Sequence, residues 1–259
     1  ESPRLDAEIL LGRAIDMPRS YFFAHPEDVP DEAALERLEH AVARRLAGEP
    51  MAYITGSKEF WSMELLVTPA TLVPRPETEI LVDRALAHIP RKAEWRVLDL
   101  GTGSGAIALA IARERPLCEV VATDISAEAL RVAEANAREL GIPNITFAEG
   151  DWTEAVAGRT FDVIVSNPPY VESADPALAA LAAEPRAALA AGEDGLDAIR
   201  VLARDCRPLL ADDGLFALEH GSGQPDAVAA LLKQCGWQAI ECHKDYAGLP
   251  RVTTARKTC

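Results

Sequence analysis

Asn167-Pro168-Pro169-Tyr170 follows directly on the apolar run Phe161-Asp162-Val163-Ile164-Val165-Ser166. Residues 163–165 are β-branched and bounded by turn formers, the pattern of a short buried strand. Two prolines then stop the strand and stiffen the backbone where it leaves the sheet. In open α/β sheets, ligands bind beyond the carboxyl ends of the strands. Asn167 there offers an amide oxygen, an amide NH2 and a backbone carbonyl on a rigid rim. Tyr170 adds a flat apolar face with a polar tip. The set suits a planar group that bears an NH2. Taken alone, the same four residues also fit a structural Asn-Pro turn.

They do not stand alone. Arg96-Val97-Leu98-Asp99-Leu100 reads as a strand that runs into Gly101-Thr102-Gly103-Ser104-Gly105 and then an Ala-rich apolar helix from Ala106. Strand, glycine turn and helix make the first βα unit of a nucleotide-binding sheet. The next strand, Glu119-Val120-Val121-Ala122-Thr123, ends at Asp124-Ile125, and an acid in that place can accept hydrogen bonds from ribose hydroxyls. Gly101-x-Gly103-x-x-Ala106 with Asp124 also fits a dinucleotide fingerprint, so a nicotinamide or flavin dehydrogenase is a rival reading. Asp99 counts against it, because a carboxylate just ahead of the first glycine meets a cation more readily than a pyrophosphate. Asp151-Trp152, after the strand-like Ile145-Thr146-Phe147-Ala148, offers an acceptor and an aromatic face for a base. A dehydrogenase has no evident use for Asn167-Pro168-Pro169-Tyr170.

These four strand ends, in this order, resemble the class I S-adenosylmethionine-dependent methyltransferases, which implies S-adenosylmethionine as cofactor and S-adenosylhomocysteine as product. The resemblance assigns Asp99, Gly101, Thr102, Gly103, Ser104 and Gly105 to the methionine part of the cofactor and Asp124 with Ile125 to the ribose. Asp151 and Trp152 fall to the adenine, and Asn167 to the junction of cofactor and substrate. Further stretches extend the likeness over nearly the whole chain. They are Arg45-x-x-x-Glu49-Pro50-x-x-Tyr53-Ile54-x-Gly56, Val73-Pro74-Arg75-Pro76-Glu77-Thr78-Glu79, Glu219-His220-Gly221, Lys244-Asp245 and Arg251-Val252. Together they look like the release factor glutamine methyltransferases. That family methylates the side-chain amide of the glutamine in the Gly-Gly-Gln motif of class 1 peptide chain release factors. The resemblance implies a small N-terminal helical bundle, a linking β-hairpin and a Rossmann-like α/β methyltransferase domain. Asn167, Pro168, Pro169 and Tyr170 are the expected catalytic set. Arg75 and Phe60 are expected to join them in binding substrate. Ala183 stands where the family commonly has an aromatic. Two relatives in chemistry remain as alternatives: the ribosomal-protein glutamine methyltransferases, and amino-methyltransferases of adenine or cytosine in nucleic acid. A non-catalytic module that docks on a translation factor is a reading of another class, disfavoured by the intact cofactor motifs.

Composition sharpens the choice. The 259 residues carry 26 Lys and Arg against 41 Asp and Glu, a formal net charge of −15. A broad nucleic-acid footprint needs the opposite sign, so no direct nucleic-acid partner is expected. An acidic surface is compatible with a protein substrate that carries basic residues. The five cysteines, Cys118, Cys206, Cys235, Cys242 and Cys259, contain no CxxC pair, which suggests free thiols in a reducing cytoplasm. They form no ligand cluster with the histidines, so no metal site is expected. No 18-residue apolar run marks a membrane span. The opening at Glu1 is already helical in pattern, so the chain is expected to start inside its first domain.

Along the chain, residues 1–52 are expected to form an N-terminal helical substrate-recognition domain. Leu5, Ile9, Leu10 and Ala14 recur at helical spacing, and Asp31 caps a second helix with the stripe Leu35, Leu38, Val42 and Leu46. Residues 53–73 alternate β-formers, including Tyr53-Ile54-Thr55-Gly56 and residues 60–67, and read as a hairpin linker. Residues 74–259 alternate strand and helix and read as the methyltransferase domain. Arg75, held between two prolines, is placed to pair with a carboxylate or to line the substrate mouth.

Overall fold

The structure, a computed structural model, describes residues 2–257. The chain divides into two compact units, Glu1–Ser57 and Lys58–Cys259. Cys259 lies outside the described residues; Cys118, Cys206, Cys235 and Cys242 are free thiols.

The first unit is helical. α1 (Pro3–Ile15) starts at Ser2, whose hydroxyl accepts from the Leu5 amide, with Pro3 preset for the first turn. α2 (Tyr21–Ala24) is a single turn, and α3 (Glu32–Leu46) is capped by the Asp31 carboxylate, which accepts from the Ala34 amide at 2.7 Å. The face of α3 turned inward differs from the expected stripe. Ala34 is buried and Leu38 and Val42 half-buried, but Leu35 and Leu46 are exposed. Arg37 and Arg45 set the rotation: Arg37 donates to the Ala14 carbonyl at the end of α1, and Arg45 pairs with Asp6 at 2.9 Å. α4 (Met51–Thr55) takes in Tyr53 to Thr55, which β-propensity assigned to a strand. Pro50 ahead of the turn and left-handed Gly56 (φ 79°) behind it make a helix start and stop, and these local signals outweigh β-branching.

A hairpin begins at the division between the units, β1 (Ser57–Phe60) and β2 (Met63–Leu66), turned by Trp61 and Ser62 at positive φ. The strands and helices then alternate. A 3-10 turn (Pro76–Thr78) leads into α5 (Glu79–His88). Next come β3 (Arg96–Leu100), α6 (Ala106–Glu114), β4 (Glu119–Asp124), α7 (Ala127–Glu139), β5 (Ile145–Glu149) and β6 (Phe161–Ser166). After a loop containing α8 (Ala177–Ala180) follow α9 (Asp197–Asp205), β7 (Leu210–Glu219), α10 (Pro225–Gln234), β8 (Gln238–Lys244) and β9 (Pro250–Arg256).

The seven strands pair in the order β5-β4-β3-β6-β7-β9-β8, parallel except for β9, which runs against both β7 and β8. Parallel strands covered on both faces must be apolar on both, and the alternation divides them. Val97 and Val163 join the core under α5 and α6, while Leu98, Ile164 and Phe216 join the core under α9 and α10. The chain moves outward from β3 to β5, then returns to β6 on the other side of β3. That reversal opens a crevice beyond the carboxyl ends of β3 and β6, the place where such sheets bind ligands.

Candidate active site

A cavity of about 410 Å³ occupies this crevice. Parallel pairing puts the ends of β3, β4, β5 and β6 on one edge, so residues that follow each strand converge there.

The glycine loop forms its floor. The Gly101 and Thr102 amides both donate to the Thr123 carbonyl at 2.9 Å, folding the loop back over β4. Gly105 caps α6 at φ 86°, where a Cβ would also stand 3.0 Å from Leu109 and 3.2 Å from Ala133. Only glycine allows that close approach without strain. Asp124 holds the loop from the next strand: its Oδ2 accepts from the Gly103 amide and its Oδ1 from the Ser126 amide, each at 2.9 Å. Each oxygen keeps a lone pair for a ligand. Asn136, buried within α7, donates to the Ser104 and Leu66 carbonyls and accepts from the Leu66 amide, so it ties the glycine loop to the hairpin.

Asp99 lies beneath this loop rather than on the cavity wall. Its Oδ2 accepts from the Thr102 hydroxyl at 2.6 Å, while its buried Oδ1 makes no hydrogen bond of good geometry. Burial pushes its carboxyl up to about 7, against the Thr102 hydrogen bond, and the Asp124 charge adds to the rise.

Asp151 and Trp152 lie across the floor, with the indole edge 3.6 Å from where a Gly101 Cβ would stand. Asn167 and the two prolines after it form the opposite wall. The Ser166 hydroxyl, donating to the Leu100 carbonyl at 2.7 Å, pins the end of β6 to the end of β3. The Asn167 NH2 donates to the Thr78 hydroxyl at 3.2 Å, which leaves its amide oxygen free to face the cavity. The loop is backed by Gly195, where a Cβ would fall 2.3 Å from the Tyr170 carbonyl. Arg75 lines the mouth and pairs with Glu184, a buried carboxylate that also accepts from the Val73 amide at 3.0 Å. Of the two roles expected of Arg75, the pairing with a carboxylate is present, and the side chain also lines the cavity.

Residues 101–104, Asp124, Ile125, Asp151, Trp152, Asn167, Pro168, Pro169 and Arg75 thus share one cavity. Gly105 and Asp99 support it from behind. Tyr170 is not on its wall: its ring packs toward the core under α9 and α10, and its hydroxyl donates to Glu219 at 3.2 Å. Phe60, expected to help bind substrate, is instead 2% exposed and packs in the core with Met63 and Leu65. The alternation of β1 turns it inward, and the charged neighbour Glu59 outward.

Thr78, Glu184 and Glu219 had no individual role on sequence alone. Glu219 had a usable signal: like Asp124, it is an acid at the end of a strand. Thr78 was named only within the stretch from Val73 to Glu79, and Glu184 gains its meaning only from Arg75, more than a hundred residues away in sequence. Burial pushes the Glu219 carboxyl up to about 7, opposed by the Thr78 and Tyr170 hydroxyls.

A parallel sheet with one antiparallel strand set between its last two, a glycine loop and an acid at the end of the second strand define a Rossmann-like methyltransferase fold. Comparison with known proteins agrees. Residues 78–194 match the family description "Methyltransferase small domain", and residues 1–56 match "PrmC N-terminal domain". A solved methyltransferase from Pyrococcus furiosus covers 85% of this chain and 100% of its own, with TM-score 0.59 and 20% identity, a likeness of fold. The release factor glutamine methyltransferase of Coxiella burnetii is 46% identical over 257 residues, 99% of this chain and 93% of the relative. That of Salmonella typhimurium is 45% identical over 260 residues, 100% of this chain and 94% of the relative. The chain belongs to the release factor glutamine methyltransferase family.

Proposed function

We propose that this protein transfers a methyl group from S-adenosylmethionine to the side-chain amide nitrogen (N5) of the glutamine in the Gly-Gly-Gln motif of class 1 peptide chain release factors. The observation that carries the chemistry is the Asn167 amide, held by Thr78 at the cavity wall with its oxygen unused. The relatives named above supply the substrate class.

The residues present fit the cofactor. S-adenosylmethionine carries an ammonium and a sulfonium against one carboxylate, and Asp124 and Asp151 line the floor with acceptors for such a cation. The Asp99 Oδ1, without a hydrogen bond of good geometry, suits a cationic donor better than any phosphate. Asp124 has lone pairs to spare for ribose hydroxyls, and Trp152 offers its face to the adenine. The product lacks the sulfonium charge, so this acidic floor favours the reactant over the product. When bound, the cofactor supplies an electrophilic methyl group.

The protein's own task is alignment. A primary amide nitrogen is a weak nucleophile because its lone pair is delocalised into the carbonyl. The Asn167 side-chain oxygen and the Pro168 carbonyl accept the two N–H bonds of the substrate amide. That turns the nitrogen lone pair toward the methyl group and favours the positive charge that grows on nitrogen. No base is needed before transfer, since the methylated nitrogen is acidic enough to lose its proton afterwards. Arg75, fixed by Glu184, borders the mouth through which the glutamine enters. Residues 1–52 serve substrate recognition, 53–73 link, and 74–259 carry the chemistry. The reaction needs no membrane, and no helix among the described residues is long and apolar enough to cross one. Free thiols accord with a cytoplasmic site of action.

The test is peptide-mapped mass analysis of a class 1 release factor incubated with this protein and S-adenosylmethionine. A single methyl on the Gly-Gly-Gln glutamine is expected. Its absence, with the cofactor bound, would redirect attention to ribosomal protein or nucleic acid.

A further inference from the structure

Glu219 is the buried acid that the reaction just described does not use. It ends β7, one residue beyond the Leu218↔Ser166 pair, and so stands level with Asn167 at the end of β6. It is 1% exposed, yet Oε1 meets only the Tyr170 hydroxyl at 3.2 Å and Oε2 makes no hydrogen bond of good geometry. No cation pairs with it among the described residues. Arg251 on β9 acts on it only at a distance and is itself engaged by Asp245 at 3.1 Å. Next along β7, His220 is occupied by the Gly221 carbonyl and the Thr253 hydroxyl, both at 2.9 Å. A carboxylate so placed is costly to bury. Tyr170 bonds it, the Thr78 hydroxyl lies near enough to oppose the upward push on its carboxyl, and these two groups flank the Asn167 loop at its two ends.

We propose that Glu219 is a positioning residue for methyl transfer: through the Thr78 hydroxyl it dictates which atom of the Asn167 amide faces the cavity, and through Tyr170 it anchors the far end of the same loop. The proposal rests on the reading of Asn167 as the acceptor for the substrate amide.

The logic is one of hydrogen-bond polarity. A carboxylate only accepts, and a threonine hydroxyl has one proton to give. Thr78 is 4% exposed, so water does not intervene freely. While Glu219 is ionised, the hydroxyl turns its proton toward the carboxylate and offers Asn167 a lone pair. Only the NH2 end of Asn167 can satisfy that lone pair, as observed at 3.2 Å. The oxygen end is then committed to the cavity, where an incoming amide presents N–H groups. A protonated Glu219, or a glutamine in its place, frees the hydroxyl to turn round. Asn167 can then flip and present donors to donors. The nearby Glu77 and Arg251 charges bear on Glu219 with opposite sign.

The direct readout is the 15N side-chain NH2 signal of Asn167 in the full chain, followed against pH and assigned by its loss in Asn167→Ala. In the wild type it moves with a midpoint near neutral pH, and in Glu219→Gln and Thr78→Val that movement disappears. In the methylation assay, kcat of Glu219→Gln falls on the order of 100-fold, as for a misplaced reacting group, while cofactor Kd stays unchanged. Wild-type kcat falls on the acid side of neutrality, and the glutamine variant lacks that limb. Thr78→Val reproduces the loss without touching the acid, and Thr78→Ser recovers most of it. An Asn167 signal indifferent to pH in the wild type, or wild-type kcat in both Glu219→Gln and Thr78→Val, overturns the proposal. A wild type that titrates as described but leaves the Gly-Gly-Gln glutamine unmethylated overturns the substrate reading instead and upholds the relay.

Discussion

The stability of an Asp99→Asn variant of the cofactor-free protein should gain on that of the wild type as pH rises. The wild-type carboxyl is fully buried, has one oxygen without a hydrogen bond of good geometry, and takes up a proton at about 7 instead of the ordinary 3.8. Below pH 4 it is neutral in folded and unfolded chains alike, and its contribution to stability is fully present. As pH rises from 4 to 7 the unfolded chain releases the proton while the folded chain keeps it, so stability is lost across that window and levels off above it. The full loss is at most about 4 kcal/mol, from 1.36 kcal/mol for each decade of proton affinity. About 3 kcal/mol of it falls between pH 5 and pH 8. Asparagine does not titrate and still accepts from the Thr102 hydroxyl. Its advantage over the wild type should therefore grow by up to that amount between the two pH values. Glu219 titrates in the same range but does so in both proteins, so it cancels from the difference. All four tryptophans, Trp61, Trp95, Trp152 and Trp237, lie in the second unit, so urea unfolding followed by their fluorescence reports on that unit alone. The midpoint difference between variant and wild type should widen by about 1 M urea on going from pH 5 to pH 8. A difference independent of pH would refute the reasoning, because it would mean that the Asp99 carboxyl is not destabilised by burial. The same substitution should weaken S-adenosylmethionine binding, so that the gain at high pH is set against a loss of function.

Asn167→Ala should abolish methyl transfer while leaving cofactor affinity nearly intact by calorimetry; a large loss of affinity would contradict the acceptor role. Asp124→Ala removes a charged acceptor of two backbone amides as well as a ribose contact, and should raise the cofactor Kd by roughly 10- to 100-fold. Arg75→Ala leaves the buried Glu184 carboxylate without its cation and should cost roughly 3 kcal/mol, read as a lowered melting temperature, with Glu184→Gln costing less. Gly105→Ala forces a Cβ onto a left-handed residue against Leu109 and Ala133, and should cost about 1–2 kcal/mol or more; an unchanged melting temperature would show that the loop yields.

The local chemistry was written in the sequence. Glycines after β3, acids at strand ends and two prolines after β6 act over a few residues, and short-range sterics decide their structure whatever the surroundings. Short apolar runs likewise marked the strands of the sheet, because burial on both faces leaves few residue types possible. Other features came only with the third dimension. The stripe of α3 turned because Arg37 and Arg45 found partners on another helix, and Phe60 turned inward because the hairpin had a core to cover. Arg75 acquired Glu184, and Tyr170 was drawn away from the cavity by Glu219. The sequence thus determined which groups could do chemistry and at which strand ends they would sit. Which of them face the cavity, and which stand behind it holding others in place, was decided by packing and by hydrogen bonds between residues far apart in the chain, whose partners no local pattern encodes.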